Sequence, residues 1–441
     1  MLKSIRLVFP TLVLTLIVTG CEQPSNPGPG GGGESANGGA GAQTPAGTPD
    51  DPAAVKALQD AGYLLQKDAG GNVVEFSINS DAGIQESLVH LAGVPNVLAA
   101  TFSGPGINDE GMPHLESLKN LRRLDLSDSA IGDETLKTVG KLTGVEVLGL
   151  RRTGVTDDGL SAIASLPKVR AIDLRNSNIS DAGMKHFSGL KTLADLQLEK
   201  SKVTDVGIAD LKGLSLKAVN FNYCTAITDA SLEVLGSMPT LEGIQLDYTK
   251  ITDAGMASVA NLKKLKRLRI RGTDVTGEGI AHLAELKDMQ RLELRDTSLD
   301  DDGLAVIATL SKVDFLDISE CRIISSEGMK HIGKLTGLKL LGMWETKLDD
   351  EAFAAFETLT QLEDFDGKAT KLSDESVPTL LKLQKLKVLN LAGTRLSDEG
   401  FKQLTSLPDL KEINVANTDI TFAGLDALAE KAGLKVLESE N

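Results

Sequence analysis

Val145 to Lys168 reads V-E-V-L-G-L-R-R-T-G-V-T-D-D-G-L-S-A-I-A-S-L-P-K, and at Val169 the phrase begins again. With Val145 as position 1, apolar residues occupy positions 1, 4, 6, 11, 16, 19 and 22. Thr or Ser occupies position 9, and Asp and Gly usually occupy positions 13 and 15. Positions 4 and 6 alternate with polar 3, 5 and 7, the pattern of a short strand with one buried face. Positions 16, 19 and 22 carry helical spacing and predict the buried stripe of a short helix. Thr or Ser at 12 and Asp at 13 stand just ahead of that stripe, as in Thr156-Asp157, Ser180-Asp181 and Thr252-Asp253. Either can accept from free N–H groups as an N-cap. One such unit cannot bury its own apolar side. Stacked units bury a continuous core, with parallel strands lining the inside of a curved solenoid.

The phrase runs outward from this stretch in both directions. Units start at Val73, Val97, Leu121, Val145, Val169, Leu193, Leu216, Leu241, Leu265, Met289, Val313, Leu338, Leu362, Leu386 and Leu410, with a fragment at Leu434. The length is 24 residues except in the Leu193 unit (23) and the Leu216 and Val313 units (25). An L-x-x-L-x-L opening repeated at this period resembles the leucine-rich-repeat family over residues 73–441. The resemblance implies an α/β solenoid, or horseshoe, with parallel strands on the concave face and short helices on the convex face. From Leu121 onward position 9 is Ser, Thr or Cys, where the family pattern has Asn or Cys. A small polar group there is expected to hydrogen-bond loop backbone from unit to unit. Cys224 and Cys321 take this position in the two longest units, which look like cysteine-containing repeats. The others look like a shorter, bacterial, ribonuclease-inhibitor-like variant.

Ahead of the repeats, Met1 to Arg6 is basic and Leu7 to Val18 is apolar, followed by Thr-Gly-Cys21. This is the make-up of an export signal over residues 1–20. The apolar run is too short to span ~30 Å of hydrocarbon. Val18-Thr-Gly-Cys21 resembles the bacterial lipobox, which implies that Cys21 is lipidated and becomes the mature N-terminus. The plainer reading is a secretory peptide with a chance cysteine. Residues 21–52 are a flexible linker: fifteen of the 31 residues from Glu22 to Pro52 are Gly or Pro, and none is Leu, Ile, Val or Phe. Gly28-Pro-Gly-Gly-Gly-Gly33 fits a nucleotide-loop pattern only through composition, since no strand precedes it. Residues 53–72 are expected to cap the solenoid. Ala53–Ala61 would form a helix burying Val55 and Leu58, and Asp68–Asn72 would turn a hairpin.

A formal charge of −16 argues against nucleic-acid or anionic-membrane binding by the body of the protein. The histidines (His90, His114, His186, His282 and His331) all precede the buried residue at position 19, on the convex side. They do not converge as metal ligands must. The Asp column at position 13 could attract cations, yet each Asp already stands at a helix start. No metalloprotease, nucleophile-elbow, phosphate-loop or Cys-x-x-Cys motif occurs. No enzymatic activity, cofactor or metal is therefore expected.

What remains is the concave face, formed by positions 3, 5, 7 and 8. Arg267, Arg269 and Arg271 lie in one unit, with Arg291 and Arg295 in the next. Phe315 and Leu340 follow at position 3, and Trp344, the sole tryptophan, at position 7. Tyr223 and Tyr248 share position 8 of neighbouring units, and Arg151, Arg152 and Arg175 form another basic spot. Arginine beside exposed aromatics has the composition of an interface hot spot. The competing reading pairs these arginines with Asp173, Glu293 and Asp317 as a solvated face. The sequence thus leads us to expect a non-catalytic protein-recognition scaffold, lipid-anchored at the bacterial cell envelope, with an unidentified protein partner. The alternative is an envelope spacer or adhesin that binds anionic polysaccharide through the basic–aromatic patch.

Overall fold

The computed structural model describes residues 48–426 and 434–437. The expected signal, Cys21 and most of the linker lie outside the described residues. From Thr48 onward the chain builds one sheet of 17 strands. Each strand bonds to those before and after it in sequence. Leu64–Lys67 runs antiparallel to Val73–Asn79 as the expected hairpin, and every later pairing is parallel.

Each unit contributes a strand of about three residues centred on position 4, such as Val147–Gly149, Arg267–Arg269 and Phe315–Asp317. One or two turns of helix follow, such as Asp157–Leu160, Asp253–Val259 and Asp301–Ile307. The register is position against position: Leu268 pairs with Ile244 on one side and Leu292 on the other. Positions 4 and 6 therefore stack into rows, and Leu268, Ile270, Leu292 and Leu294 are at most 1% exposed. Gly367 leaves position 6 without a side chain in its unit. The buried Phe365 ring fills the space, its Cζ 2.8 Å from where a Cβ on Gly367 would lie.

At the N-terminal end Asp51 caps the helix Pro52–Asp60, which buries Val55 and Leu58. Packing begins before that helix, inside the stretch expected as linker. Asp50 accepts from the Val73 N–H and from Asn96. Tyr63 meets Phe76 edge-on at 5.5 Å, and Phe76 meets Phe102 at 5.3 Å, which closes the core on this side. At the other end Lys435–Leu437 adds a last strand to Glu412–Asn414.

Two hydrogen-bond systems differ from expectation. At position 9 the hydroxyl does not bond backbone of a neighbouring unit, and Ser201 and Thr297 cross only to the thiols of Cys224 and Cys321. Thr249, Thr273, Thr346 and Thr394 each donate to the position-6 carbonyl of their own unit. Among the described residues the cysteines are the position-9 groups that cross to backbone: Cys224 bonds the Leu198 carbonyl at 3.3 Å and Cys321 the Leu294 carbonyl at 3.2 Å.

At the helix starts the roles of positions 12 and 13 are divided. The Thr or Ser at 12 is the N-cap, as Thr252 is for Ala254. The Asp at 13 serves the next unit instead. Asp253 accepts from Thr276 N–H (2.7 Å), Thr276 Oγ1 (2.7 Å) and Gly279 N–H (3.0 Å). The same rung joins Asp133 to Thr156, Asp157 to Ser180, Asp181 to Thr204, Asp229 to Thr252 and Asp398 to Thr421. Glycine at position 15 is the seat for that carboxylate. A Cβ on Gly279 would sit 2.3 Å from Asp253 Oδ1, and one on Gly255 2.4 Å from Asp229 Oδ1. Where the seat is Thr135 or Ser231 rather than glycine, its hydroxyl donates to the carboxylate.

The column breaks at Gly277, and there position 12 of the next unit is Asp300. Asp300 caps its own helix by accepting from Gly303 N–H at 2.9 Å. At the Val313 unit the rung is reversed: Ser326 stands in the Asp place and donates to Asp349. Each irregularity keeps one acceptor per rung and avoids two facing carboxylates.

Candidate functional site

Positions 3, 5, 7 and 8 point away from the core because they alternate with buried 4 and 6. Parallel register brings Arg267, Arg291, Phe315 and Leu340 into one row across four adjacent strands. With Gln290, Asp314 and Lys339 they line an open depression of about 300 Å³. Phe315 is not bare. The Arg291 guanidinium lies 3.5 Å over its ring, and Arg291 Nε donates to Glu293 at 2.7 Å.

Arg269 and Arg271 converge on one carboxylate, Asp247, which is fully buried. Arg269 Nε and Arg271 Nε donate to Asp247 Oδ2 at 2.6 and 2.8 Å, and the Arg271 N–H donates to Oδ1 at 2.9 Å. Behind it, the Asn222 side-chain oxygen accepts the Asp247 N–H at 2.7 Å. Burial pushes the Asp247 carboxyl up to about 6 against the pull of Arg271. Arg295 pairs with Glu320 at 2.6 Å and lies 4.4 Å over the Trp344 ring. The indole thus reaches back across the Val313 unit, whose position 7 is the buried Ser319.

The basic cluster is therefore largely neutralised. Of the expected partners, Asp173 holds Arg175 and Glu293 holds Arg291. Asp317 instead accepts from the Ser319 N–H. Asp247 and Glu320, which sequence reasoning passed over, hold Arg269, Arg271 and Arg295. Arg151 and Arg152 share Asp128. Among the described residues, Arg267 alone of the five clustered arginines forms no ion pair within 4.0 Å, and it is exposed.

Tyr223 and Tyr248 stack at 4.9 Å with planes 17° apart, and the Lys200 ammonium lies 5.1 Å from the Tyr223 ring. All three occupy position 8, and position 8 is left-handed in unit after unit. Asp128, Arg152, Asn176, Lys200, Tyr223, Tyr248, Asp296, Glu320, Glu345, Ala369 and Asn417 all have φ between 52° and 62°. That conformation costs an L-residue ~1–2 kcal/mol, and Gly, Asn and Asp bear it best. Lys200, Tyr223 and Tyr248 in three successive units run against that preference. The next unit has Gly272 at φ 60°, where any Cβ would lie 2.4 Å from the Tyr248 ring. Ala369 supplies a control with no interacting side chain. Ala369→Gly is expected to stabilise the fold by roughly 0.5–1 kcal/mol, the left-handed penalty less the backbone entropy of glycine. A lowered urea midpoint would contradict this account of position 8.

Residues 114–139 and 382–404 match a family model described as Leucine Rich repeat. Two solved bacterial structures share the architecture. An internalin (InlF) from Listeria monocytogenes is 19% identical, with TM-score 0.52 over 89% of this chain and 96% of that one. The LRR protein LIC12759 of Leptospira interrogans is 18% identical, with TM-score 0.55 over 87% of this chain and 97% of that one. This is a leucine-rich-repeat fold. At such identity the likeness extends to the fold alone. No curated protein sequence matches the chain.

Within the leucine-rich-repeat solenoid, no group of three or more His, Cys, Asp or Glu among the described residues is placed to share a metal ion. The acidic side chains do set a pH dependence. Asp364 and Asp366 are pushed up from 3.8 to about 6, mainly by burial. With Asp247 they hold protons more tightly folded than unfolded. Their contribution to stability is complete below pH ~4 and lost as pH rises through about 6. Asp205 and Asp349 behave oppositely. Burial raises both, but hydrogen bonds outweigh it, from Ser231 and Thr228 in one case and from Ser326 and Ala352 in the other. Both end below the usual value, so their contribution is lost as pH falls below that range. The urea midpoint is expected to be higher at pH 5 than at pH 7.5, and to fall again below ~4. A monotonic loss from pH 7.5 downward would refute the assignment.

Proposed function

We propose that the chain is a non-catalytic scaffold for protein recognition through the strand face, tethered at a bacterial cell envelope by lipid on Cys21. One observation carries the recognition reading. Lys200, Tyr223 and Tyr248 form a contiguous, partly exposed stack at positions where the backbone favours glycine or asparagine. Other units hold Arg152, Glu320, Glu345 and Ala369 in the same conformation; what supports use here is that bulky rings in that disfavoured conformation also stack face to face on the open side. The neighbouring Arg295–Trp344 and Arg291–Phe315 stacks extend the same face with rigid aromatic and guanidinium groups, the residue types that dominate interface energetics. The alternative, anionic polysaccharide, is weakened by the ion pairs that neutralise Arg269, Arg271, Arg291 and Arg295. The envelope location rests on the N-terminal sequence alone.

The test uses the full chain as bait for crosslinking in an envelope extract of the producing cells. The comparison is Tyr223→Asn/Tyr248→Asn, which suits the left-handed backbone and should fold at least as stably. A protein captured by the first and lost by the second supports the reading. Equal capture by both moves the site away from the tyrosine stack, and retention of polysaccharide alone favours the alternative.

A further inference from the structure

The row running from Arg267 to Asp364 ends in charges of opposite sign, neither of which forms an ion pair within 4.0 Å among the described residues. Register places Asp364 directly after Leu340 and before Val388. Other outward acids have structural duties: Asp125, Asp173, Asp317 and Asp366 at position 5 each accept the N–H of position 7 in their own unit. Asp364, at position 3, accepts no hydrogen bond and meets no cation among the described residues. It is half-buried between apolar neighbours, and the charges that act on it are the carboxylates of Glu412 and Asp366. Between the two charges lie the Arg291–Phe315 stack and Leu340.

We propose, building on the protein-recognition reading, that this row receives an extended peptide segment of the partner. An acidic side chain sits on Arg267, two apolar side chains sit over the Phe315 stack and Leu340, and a basic side chain sits on Asp364. The dimensions agree. Four strand spacings of ~4.8 Å separate the Arg267 and Asp364 backbones, about 19 Å. The Arg267 guanidinium leans a further strand outward over Gly243, where a long acidic side chain on the end residue of the peptide reaches it. An extended peptide rises ~3.3 Å per residue and shows alternate side chains to one face. Its residues i and i+6 are then about 20 Å apart, with i+2 and i+4 facing the row between them. An acid and a base six residues apart, with apolar residues at the two intervening facing positions, complement the row along its length. A polyanion would have nothing to place on Asp364.

A phage library of random heptapeptides is panned on the immobilised full chain and on Asp364→Lys. The wild chain is expected to enrich peptides with an acidic residue at one end, a basic one at the other, and apolar residues third and fifth. Asp364→Lys should replace the basic end with an acidic one. Asp364→Asn, which preserves volume, should weaken a selected peptide tenfold or more while the chain unfolds at an unchanged or higher urea concentration. The proposal is overturned by enriched sequences without the six-residue spacing, by identical pools from both chains, or by no enrichment. It is also overturned by binding to dextran sulfate that strengthens in Asp364→Lys with no peptide selected. Loss of the peptide result with retained, tyrosine-dependent protein capture would remove this row but leave protein recognition standing.

Discussion

Asp253→Ala lowers the stability of the solenoid around the Leu265 unit by about 3 kcal/mol, read from amide exchange at Thr276 and Gly279. The carboxylate takes three donors from the next unit, and hydrogen bonds to a charged group contribute ~1.5–3 kcal/mol each without adding fully. A double-mutant cycle makes the expectation specific. Gly279→Ala is damaging in the wild chain because the new methyl falls 2.3 Å from Asp253 Oδ1. Once Asp253 is alanine that contact is gone and only the Val275 methyl, 2.8 Å from the new Cβ, and the Asp253 Cα at 3.1 Å must give way, so Gly279→Ala should cost less in the double variant. Strictly additive losses would show that the glycine is not a seat for the carboxylate.

Asp247→Ala is expected to cost about 3 kcal/mol as well, for a different reason. It strips the shared counter-ion from Arg269 and Arg271, whose side chains are only 27% and 20% exposed. Removing one partner of such a pair leaves charge with neither ion nor full hydration, at ~3–5 kcal/mol for complete burial. Adding Arg269→Gln and Arg271→Gln in the Asp247→Ala background should recover part of the loss. A cost under ~1 kcal/mol would mean that the pair behaves as a surface ion pair.

The repeat register was legible in Val145–Lys168 because buried residues obey two simple periods. The strands and nearly every helix from Val73 onward followed from it, while Pro52–Asp60 and Leu64–Lys67 were read from their own apolar spacing and turn residues. The outward face was harder, since its positions obey neither period. Neutralisation of the arginines depended on which acid in a neighbouring unit lies within reach. Asp247 sits at position 7, where most units carry something else, and pairs forward across a strand. Nor does a sequence show φ. Asn176, Asn417, Gly272 and Gly393 at position 8 carried the signal of a left-handed turn, but Tyr223, Arg152 and Glu345 at the same place obscured it. The Asp column was visible, yet its direction toward the following unit was not, because position 12 of one unit and position 13 of the last meet only in three dimensions.

Repeat genes gain and lose single units by unequal recombination, and here the rungs restrict which losses the protein survives. Excising the Leu265 unit removes Gly277 and sets Asp253 against Asp300, two carboxylates with no side-chain donor between them. Excising the Val313 unit removes Ser326 and sets Asp301 against Asp349 in the same way. Excising the Leu241 unit instead leaves Asp229 facing Thr276, an ordinary rung. Units that look interchangeable in their leucines are thus locked in order around the central strands, and a copy number that drifts elsewhere in the array would be held fixed there.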